Sequence, residues 1–199
     1  MRPDELPDNL LDHQYTRCAL YLSHMSFVEH AVGRGRGVDV SAIEFGGSNG
    51  FVAGLFEGCD YQIAPNAPEV DVQDLGRYPS DSYDFVVLDE ILEHVERPWL
   101  AIDEVRRILK PGGCLIISTP FMIAEHRMPR DYWRFTKDGL RVLLRDFSVV
   151  EAHSWGNAAS VRYLTNGMMV STREAIDAGA FDLDDVERFA VSVWAYAWK

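Results

Sequence analysis

Hydrophobic positions along this chain form continuous apolar runs separated by stretches with helical spacing. The runs "YDFVVLDE" (83–90) and "CLIISTPF" (114–121) are apolar at nearly every position, which is typical of strands buried on both faces of a parallel sheet. Further strand patterns occupy 38–45, 60–65, 147–155 and 189–199. Strands that alternate with helices predict an α/β fold with a doubly wound sheet.

Three segments have the spacing and the punctuation of helices. Segment 9–32 repeats apolar residues every three or four positions, namely Leu11, Tyr15, Cys18, Leu22 and Met25. Segment 97–113 has Pro98 near its first turn, and we expect it to end at Pro111-Gly112-Gly113. Thr136 is placed to cap a third helix, which would carry Leu140, Leu143 and Leu144.

The length of 199 residues suits one domain. We divide it into an N-terminal helix with a glycine linker (1–37), a core (38–155), an insertion (156–189) and a last strand (190–199). The insertion is long for a connection between late strands. It is interpreted either as a helix pair that covers the sheet edge or as a lid or homodimer surface, and both interpretations stay open.

Composition limits the classes of binding partner and the cellular compartment that we expect for this chain. The net charge of −12 disfavours a nucleic-acid partner, because neutralising phosphates requires clustered Lys and Arg. No apolar run reaches the roughly 18 residues of a spanning helix, so we expect no membrane partner. Cys18, Cys59 and Cys114 are far apart, with no C-x-x-C pair, which favours buried thiols in a reducing cytoplasm over a metal site.

Two glycine clusters compete for the role of a ligand-binding turn. The cluster "GRGRG" (Gly33, Gly35, Gly37) follows a predicted helix, where glycine is the usual stop, whereas a phosphate loop follows a strand and opens a helix. We therefore interpret it as a stop and linker. The cluster at 46–50 follows strand 38–45 and precedes helix 51–56. Its spacing departs from G-x-G-x-x-G, and the carboxylate of Glu44 suits a ligand with an ammonium group.

Several motifs together resemble the class I S-adenosylmethionine-dependent methyltransferases. They are "IEFGGSNG", "DYQIAP", "VDVQDL", "YDFVVLDEILEHV", "ILKPGGCLIISTPF" and "HRMPRDYWRFTKDGL". The resemblance runs from about Ile43 to Leu144, and its most specific parts are "LEHV" followed by "LKPGG" and the loop H-x-x-P-x-D-Y-W-R-F-T. It implies a Rossmann-like, mostly parallel, seven-stranded sheet with a reversed last strand, and S-adenosylmethionine as the cofactor.

The resemblance also implies roles for individual residues. The cofactor turn would consist of Glu44, Gly46, Gly47, Ser48 and Gly50. Asp74 and Leu75 would flank the adenine, and Leu88 and Asp89 would face the methionine part and the transferred methyl group.

Two residues depart from the pattern of the family. Ser48 replaces the middle glycine of the turn, and Gln62 replaces the carboxylate that usually accepts both ribose hydroxyls. A neutral hydrogen bond is weaker than a charge-assisted one by about 1 kcal/mol or more, so cofactor affinity is expected to fall by up to about tenfold. Asp60 would compensate if the strand register shifted by two residues.

The candidate chemistry follows from the methyl group of S-adenosylmethionine, which the sulfonium of the cofactor already activates for transfer. Such a methyl group mainly needs an aligned acceptor and a dry site, whereas a hydroxyl acceptor also needs a general base. The catalytic candidates are His126, Asp89 and Glu90, of which His126 lies in the loop that would overhang the site. His94 is interpreted either as a packed structural residue or as a substrate contact.

The loop after the fifth predicted strand supplies the remaining substrate candidates. Asp131, Tyr132, Trp133 and Arg134 form either a substrate wall or a structural tie through an Asp–Arg pair. Glu93 and Glu96 are interpreted as a solvated helix face.

The sequence therefore predicts a methyltransferase acting on a small molecule, for example a sugar or another natural-product intermediate. Methylation of a tRNA base and a non-catalytic binding module with the same fold are the alternatives.

Overall fold

The computed structural model describes residues 3–33, 39–46, 50–127, 129–164, 170–179, 181–184 and 187–199. Within these residues, six strands form one sheet: Ser41–Phe45 (β1), Asp60–Ile63 (β2), Tyr83–Asp89 (β3), Leu109–Pro120 (β4), Val149–Trp155 (β5) and Ser192–Trp198 (β6). Their order is β2-β1-β3-β4-β6-β5. The pairs among β1 to β4 are parallel, and β6, the last strand, runs antiparallel to β4 and β5.

The α/β sheet is confirmed, but the described residues form six strands and not the expected seven. The connection 64–82 between β2 and β3 consists of turns. Side chains of the following helix bind its backbone groups: Leu75 donates to Glu104 Oε2 at 2.8 Å, and Arg107 donates to the Leu75 carbonyl oxygen at 2.9 Å. The amide and the carbonyl oxygen of Leu75 are thus bound by side chains of that helix. In a further strand, these two groups would instead pair with the backbone of a neighbouring strand.

Six helices accompany the sheet in the described residues: Cys18–Val32 (α1), Phe51–Leu55 (α2), Pro98–Ile108 (α3), Lys137–Leu143 (α4), Ala158–Leu164 (α5) and Thr172–Asp177 (α6). The predicted cap of α4 is confirmed, since Thr136 Oγ1 accepts from the Gly139 amide at 3.0 Å. Helix α3 ends at Ile108, before Pro111, because Leu109 already pairs with Tyr83 of β3.

Helix α1 begins at Cys18 and not at residue 9. The preceding residues pair with the insertion instead: Gln14 forms a bridge with Ser171, and the Tyr15 amide donates to the Val170 carbonyl oxygen at 2.9 Å. A tertiary contact thus overrides the helical spacing. Gly33 ends the helix with a φ of 72°, as expected of a helix stop, while Gly35 and Gly37 lie outside the described residues.

Apolar layers cover both faces of the sheet, as a doubly wound architecture requires. One layer packs Val86 and Leu88 of β3 against α3 and α4, and the other packs Phe85 and Val87 against α1 and α2. Alternate residues of β3 thus enter opposite layers, which explains its continuous apolar run.

The insertion packs against the N-terminal segment. The amides of Thr172 and Arg173 donate to the carbonyl oxygens of His13 and Leu11, both at 2.8 Å. These contacts attach the insertion to the N-terminal segment, while its role and the boundaries of the four segments remain predictions. Among the described residues, no helix is long and apolar enough to cross a membrane.

Candidate active site

The candidate site lies at the edge of the sheet where parallel strands β1, β3 and β4 end. Phe45 pairs with Leu88, and Asp89 pairs with Ser118, so the ends of the three strands are side by side. In open α/β sheets, ligands bind outside this carboxyl edge. The structure therefore brings together the predicted cofactor turn and the predicted catalytic carboxylates.

Glu44 is a buried carboxylate one residue before the end of β1. Its side chain accepts a hydrogen bond from the Tyr61 hydroxyl at 2.6 Å, and the residue is 1% exposed. Burial raises the pKa of Glu44 to about 7, an effect that the Tyr61 hydrogen bond opposes and the charge of Asp89 increases. A carboxylate that is costly to ionise in the free protein is ready to accept a cationic ligand group.

The turn after β1 depends on glycine. Gly46 has a φ of 85° and Gly50 a φ of 67°, values that favour glycine strongly. A Cβ at Gly46 would also overlap the side chain of Ile91, whereas the space around Gly50 is open. Gly47 and Ser48 lie outside the described residues, so their roles remain predictions.

Asp89 ends β3 with both carboxylate oxygens occupied. Ser118 Oγ donates to Oδ1 at 2.6 Å, while the Tyr21 hydroxyl and Arg17 Nη1 donate to Oδ2 at 2.9 and 3.2 Å. Both oxygens of Asp89, a predicted catalytic residue, therefore already accept hydrogen bonds within the protein. The N-terminal segment therefore reaches the site through Arg17 and Tyr21.

Glu90 follows with a φ of 56°, which is uncommon for a residue with a side chain. Its Oε2 lies 3.9 Å from Arg17 Nη2, and its Oε1 is buried without a hydrogen-bond partner. Burial raises the pKa of Glu90, and the charges of Glu93 and Asp89 add to this effect while Arg17 opposes it. Strained backbone and a partly unsatisfied carboxyl are features that cluster at functional sites.

The other predicted cofactor residues belong to β2, to the connection 64–82 and to β3. Gln62 in β2 is exposed, and its Oε1 accepts from the Tyr83 hydroxyl at 3.3 Å. Asp74 is exposed in the connection 64–82, whereas Leu75 beside it is fully buried. Leu88 is also fully buried, in the layer against α3 and α4.

A cluster of two imidazoles and one carboxylate lies where the loop after β4 covers the segment after β3. Glu93 Oε1 is 3.6 Å from His94 Nε2 and 3.7 Å from His126 Nε2, and the two rings form an edge contact with centroids 4.9 Å apart. The expectation that Glu93 belongs to a solvated face is wrong, since it is 0% exposed. Glu96 is exposed, as expected.

The ion pair between Asp131 and Arg134, which the sequence analysis offered as one interpretation, stabilises the loop after β4. Arg134 binds both oxygens of Asp131, and Asp131 Oδ2 also accepts from the His126 amide at 2.8 Å. The hydrogen bond from Arg134 lowers the pKa of Asp131 to about 2, despite the opposing effect of burial. Asp131 is therefore a charged structural tie beside His126.

The aromatic residues of this loop face a different surface from its histidine. Trp133 Nε1 donates to the Val95 carbonyl oxygen at 2.9 Å, and its ring lies beside Trp99 and Phe135. These rings line a cavity of about 520 Å³ between α3 and α4. Tyr132 is 41% exposed and is anchored by its amide, which donates to the Glu93 carbonyl oxygen at 2.7 Å.

Sequence reasoning missed Arg17, Tyr21, Tyr61 and Ser118 as neighbours of the site. Arg17 and Tyr21 lie about seventy residues from Asp89 in the sequence, and no local motif marks that contact. Ser118 could have been found, because it occupies the end of a predicted strand whose neighbour ends at Asp89.

Comparisons with known proteins concern the central part of the sequence and the overall fold. Residues 54–117 match the family described as "Methyltransferase domain". A ubiquinone biosynthesis O-methyltransferase of Psychrobacter cryohalolentis is 32% identical over 98 residues, which cover 49% of this chain and 36% of the relative. The chain thus spans about a third of the length of that relative.

Solved structures share the fold at low sequence identity. An S-adenosylmethionine-dependent methyltransferase of Thermotoga maritima superposes with a TM-score of 0.60 at 16% identity, covering 93% of this chain and 91% of that one. A methyltransferase in complex with the Haloferax volcanii activator Trm112 superposes with a TM-score of 0.57 at 19% identity, covering 92% and 93%. The central part of the chain therefore matches a methyltransferase domain, and the chain shares its overall fold with solved methyltransferases.

Proposed function

We propose that this chain transfers a methyl group from S-adenosylmethionine to a hydroxyl group of a small molecule. The observation that carries the proposal is the buried carboxylate of Glu44, next to a glycine turn at the carboxyl edge of the sheet. A pyrophosphate would be repelled by this carboxylate, whereas an amino-acid ammonium group would be attracted.

The described residues fit the cofactor. When bound, S-adenosylmethionine supplies a methyl group that its sulfonium has already activated. Glu44 would hold the ammonium group, and Gly46 would allow the backbone to approach the ligand. The full proposed set consists of Glu44, Gly46, Gly47, Ser48, Gly50, Gln62, Asp74, Leu75, Leu88 and Asp89.

The acceptor would lie between the end of β3 and the loop after β4. His94, His126 and Glu90 supply titratable groups on this side, and Asp131 with Arg134 fixes the loop that carries His126. The similarity to an O-methyltransferase supports oxygen as the methylated atom. A sugar or another natural-product intermediate remains the proposed acceptor class.

Calorimetry with the purified chain tests the cofactor half of the proposal. We expect S-adenosylmethionine and S-adenosylhomocysteine to bind with 1:1 stoichiometry and NAD to give no heat. Glu44→Ala should weaken binding of both sulfur ligands by tenfold or more, through loss of a charge-assisted contact. Glu57→Gln, which changes an exposed carboxylate beyond α2, serves as the control.

Methyl-labelled cofactor and a panel of hydroxylated small molecules test the acceptor half. Label in a small-molecule product supports the proposal. Binding without transfer to any acceptor would favour a non-catalytic module, and salt-sensitive labelling of tRNA would favour the nucleic-acid alternative. No heat with either sulfur ligand, in folded protein, would refute the proposal as a whole.

A further inference from the structure

Glu93 presents an unusual electrostatic situation for a buried carboxylate. The residue is fully buried, and neither Oε1 nor Oε2 has a hydrogen-bond partner. A buried polar group without a hydrogen-bond partner is unfavourable. Arg134 is the nearby cation, but its guanidinium donates its hydrogen bonds to both oxygens of Asp131 and not to Glu93.

The hydrogen bond of His94 fixes which of its nitrogens can act as a ligand. Its Nδ1 contacts the carbonyl oxygen of Arg130, and a carbonyl oxygen can only accept, so Nδ1 carries the proton. In the neutral ring, Nε2 then presents a lone pair, and this atom lies 3.6 Å from Glu93 Oε1. An imidazole whose other nitrogen donates to a backbone carbonyl is a frequent arrangement among metal ligands.

His126 lies between the carboxylates of Asp131 and Glu93, and its Nδ1 is buried without a hydrogen-bond partner. Its Nδ1 lies 3.4 Å from Asp131 Oδ2, and its Nε2 lies 3.7 Å from Glu93 Oε1. Arg134 donates hydrogen bonds to both oxygens of Asp131 and so fixes this carboxylate beside His126. In carboxylate–histidine–metal arrangements, a carboxylate likewise lies beside one ring nitrogen while the other nitrogen faces the metal ion.

Three groups that can bind a metal ion therefore converge. One ligand atom from each of Glu93, His94 and His126 lies within 4.8 Å of the other two. The separations of 3.6 and 3.7 Å from Glu93 Oε1 are too long for hydrogen bonds. They are close to the spacing of about 3.4 Å between ligands on a tetrahedral ion with bonds of about 2.1 Å.

We propose that Glu93, His94 and His126 bind a divalent transition-metal ion. Two imidazole nitrogens favour zinc or a similar ion over magnesium and calcium, which prefer oxygen ligands. Three protein ligands leave at least one coordination position open, as in catalytic zinc sites.

The open position gives the ion a role that rests on the proposed methyl transfer. A hydroxyl oxygen of the acceptor would bind there, and coordination would lower the pKa of that hydroxyl, so that its proton leaves to solvent near neutral pH. His126 would then act as a ligand and not as the general base. Asp131 would be a positioning residue, because it acts through His126.

Metal binding is measured without cofactor or acceptor, so it fails or succeeds independently of the methyltransferase proposal. We expect the chelator-stripped chain to take up one Zn²⁺ in competition with a chromophoric chelator, and Co²⁺ to give a visible absorption band. Glu93→Gln, His94→Ala and His126→Ala should each weaken Zn²⁺ binding by at least 100-fold. His30→Ala and Glu96→Gln, at exposed positions, should leave it unchanged.

The thermal stability of Glu93→Gln separates a metal ligand from a structural partner. If Glu93 is a ligand, the metal-free variant should melt at about the same temperature as the metal-free parent, because the side chain of Glu93 makes no hydrogen bond that the substitution would break. Zn²⁺ should then raise the melting temperature of the parent and not of the variant.

Three outcomes would overturn the proposal. They are equal Zn²⁺ binding in the parent and all three ligand variants, no Zn²⁺ binding at micromolar concentration, and preferential binding of Mg²⁺. If His126→Ala fails to fold, Glu93→Gln with its conservative side chain still decides between these outcomes.

Discussion

Glu44 shows how one residue can serve function at the expense of stability. Its burial raises its pKa to about 7, above the usual value of about 4.3 for a glutamic acid. The stabilising contribution of a group with a raised pKa is fully present below the pKa of the unfolded chain and is lost as pH rises through the folded value. Between about pH 4.5 and pH 7, Glu44 therefore makes the ligand-free protein progressively less stable.

The first residue-scale prediction concerns the pH dependence of cofactor affinity. Between pH 5.5 and 7.0, the ionised fraction of a carboxyl group with a pKa near 7 rises about tenfold or slightly more, and only the ionised form pairs with an ammonium group. Calorimetry should show that S-adenosylhomocysteine binds about tenfold more tightly at pH 7.0 than at pH 5.5.

Glu44→Gln provides the matched variant for this measurement. Its affinity for S-adenosylhomocysteine should be weaker and nearly constant over the same pH range, while its free energy of unfolding at pH 7 should exceed that of the parent. An equally steep pH dependence in the variant would show that another group controls binding.

At the scale of elements, the turn between β1 and α2 requires glycine for two reasons, its backbone conformation and its packing against a neighbouring side chain. Gly46 and Gly50 both have positive φ values, but only Gly46 lies against a side chain, that of Ile91. Ile91 belongs to the connection between β3 and α3 and packs partly buried against the apolar layer. The glycine at 46 therefore serves both the turn and the contact between two neighbouring connections.

Alanine substitutions separate these two effects. Gly50→Ala should lower the free energy of unfolding by about 1–2 kcal/mol through backbone strain alone. Gly46→Ala should cost more, because its methyl group must displace Ile91. Urea unfolding of both variants measures the difference.

A double-mutant cycle identifies the source of that difference. In the background of Ile91→Ala, the cost of Gly46→Ala should fall to that of Gly50→Ala. If the extra cost persists, Ile91 is not its origin and backbone strain differs between positions 46 and 50.

At the scale of the whole molecule, the N-terminal segment and the insertion stabilise each other. The Tyr15 hydroxyl donates to the Asp182 carbonyl oxygen at 2.7 Å and accepts from the Asp182 amide at 3.0 Å. Its ring makes edge contacts with Trp155 and Tyr163. The same N-terminal segment places Arg17 and Tyr21 on Asp89, so packing far from the site supports its geometry.

Tyr15→Phe tests this coupling. The substitution leaves two partly buried backbone groups of Asp182 without their partner, so it should lower the free energy of unfolding by about 1–3 kcal/mol and increase proteolytic cleavage near 181–184. Tyr163→Phe removes a hydroxyl that makes an exposed hydrogen bond of 3.3 Å and should change the stability by less than about 0.5 kcal/mol. Equal effects would indicate that Tyr15 acts only through its ring.

The sequence alone determined the elements that depend on interactions between residues close together in the chain. Continuous apolar runs marked β3 and most of β4, because a strand buried on both faces has no polar side. Gly33 and Thr136 marked the ends of helices, because the stop and the cap depend on a single residue. The position of the glycine turn after β1 marked the candidate cofactor site, and its role remains a prediction.

Only the tertiary structure decided what depends on contacts between distant segments. The start of α1 was displaced by pairing with residues 170–171, and the charge of Asp89 was matched by Arg17 from the N-terminal segment. Glu93 appeared solvated in a polar stretch, yet the loop that carries His126 buries it. Local patterns report the spacing of neighbours along the chain, whereas burial and ligand geometry arise from residues that only folding brings together.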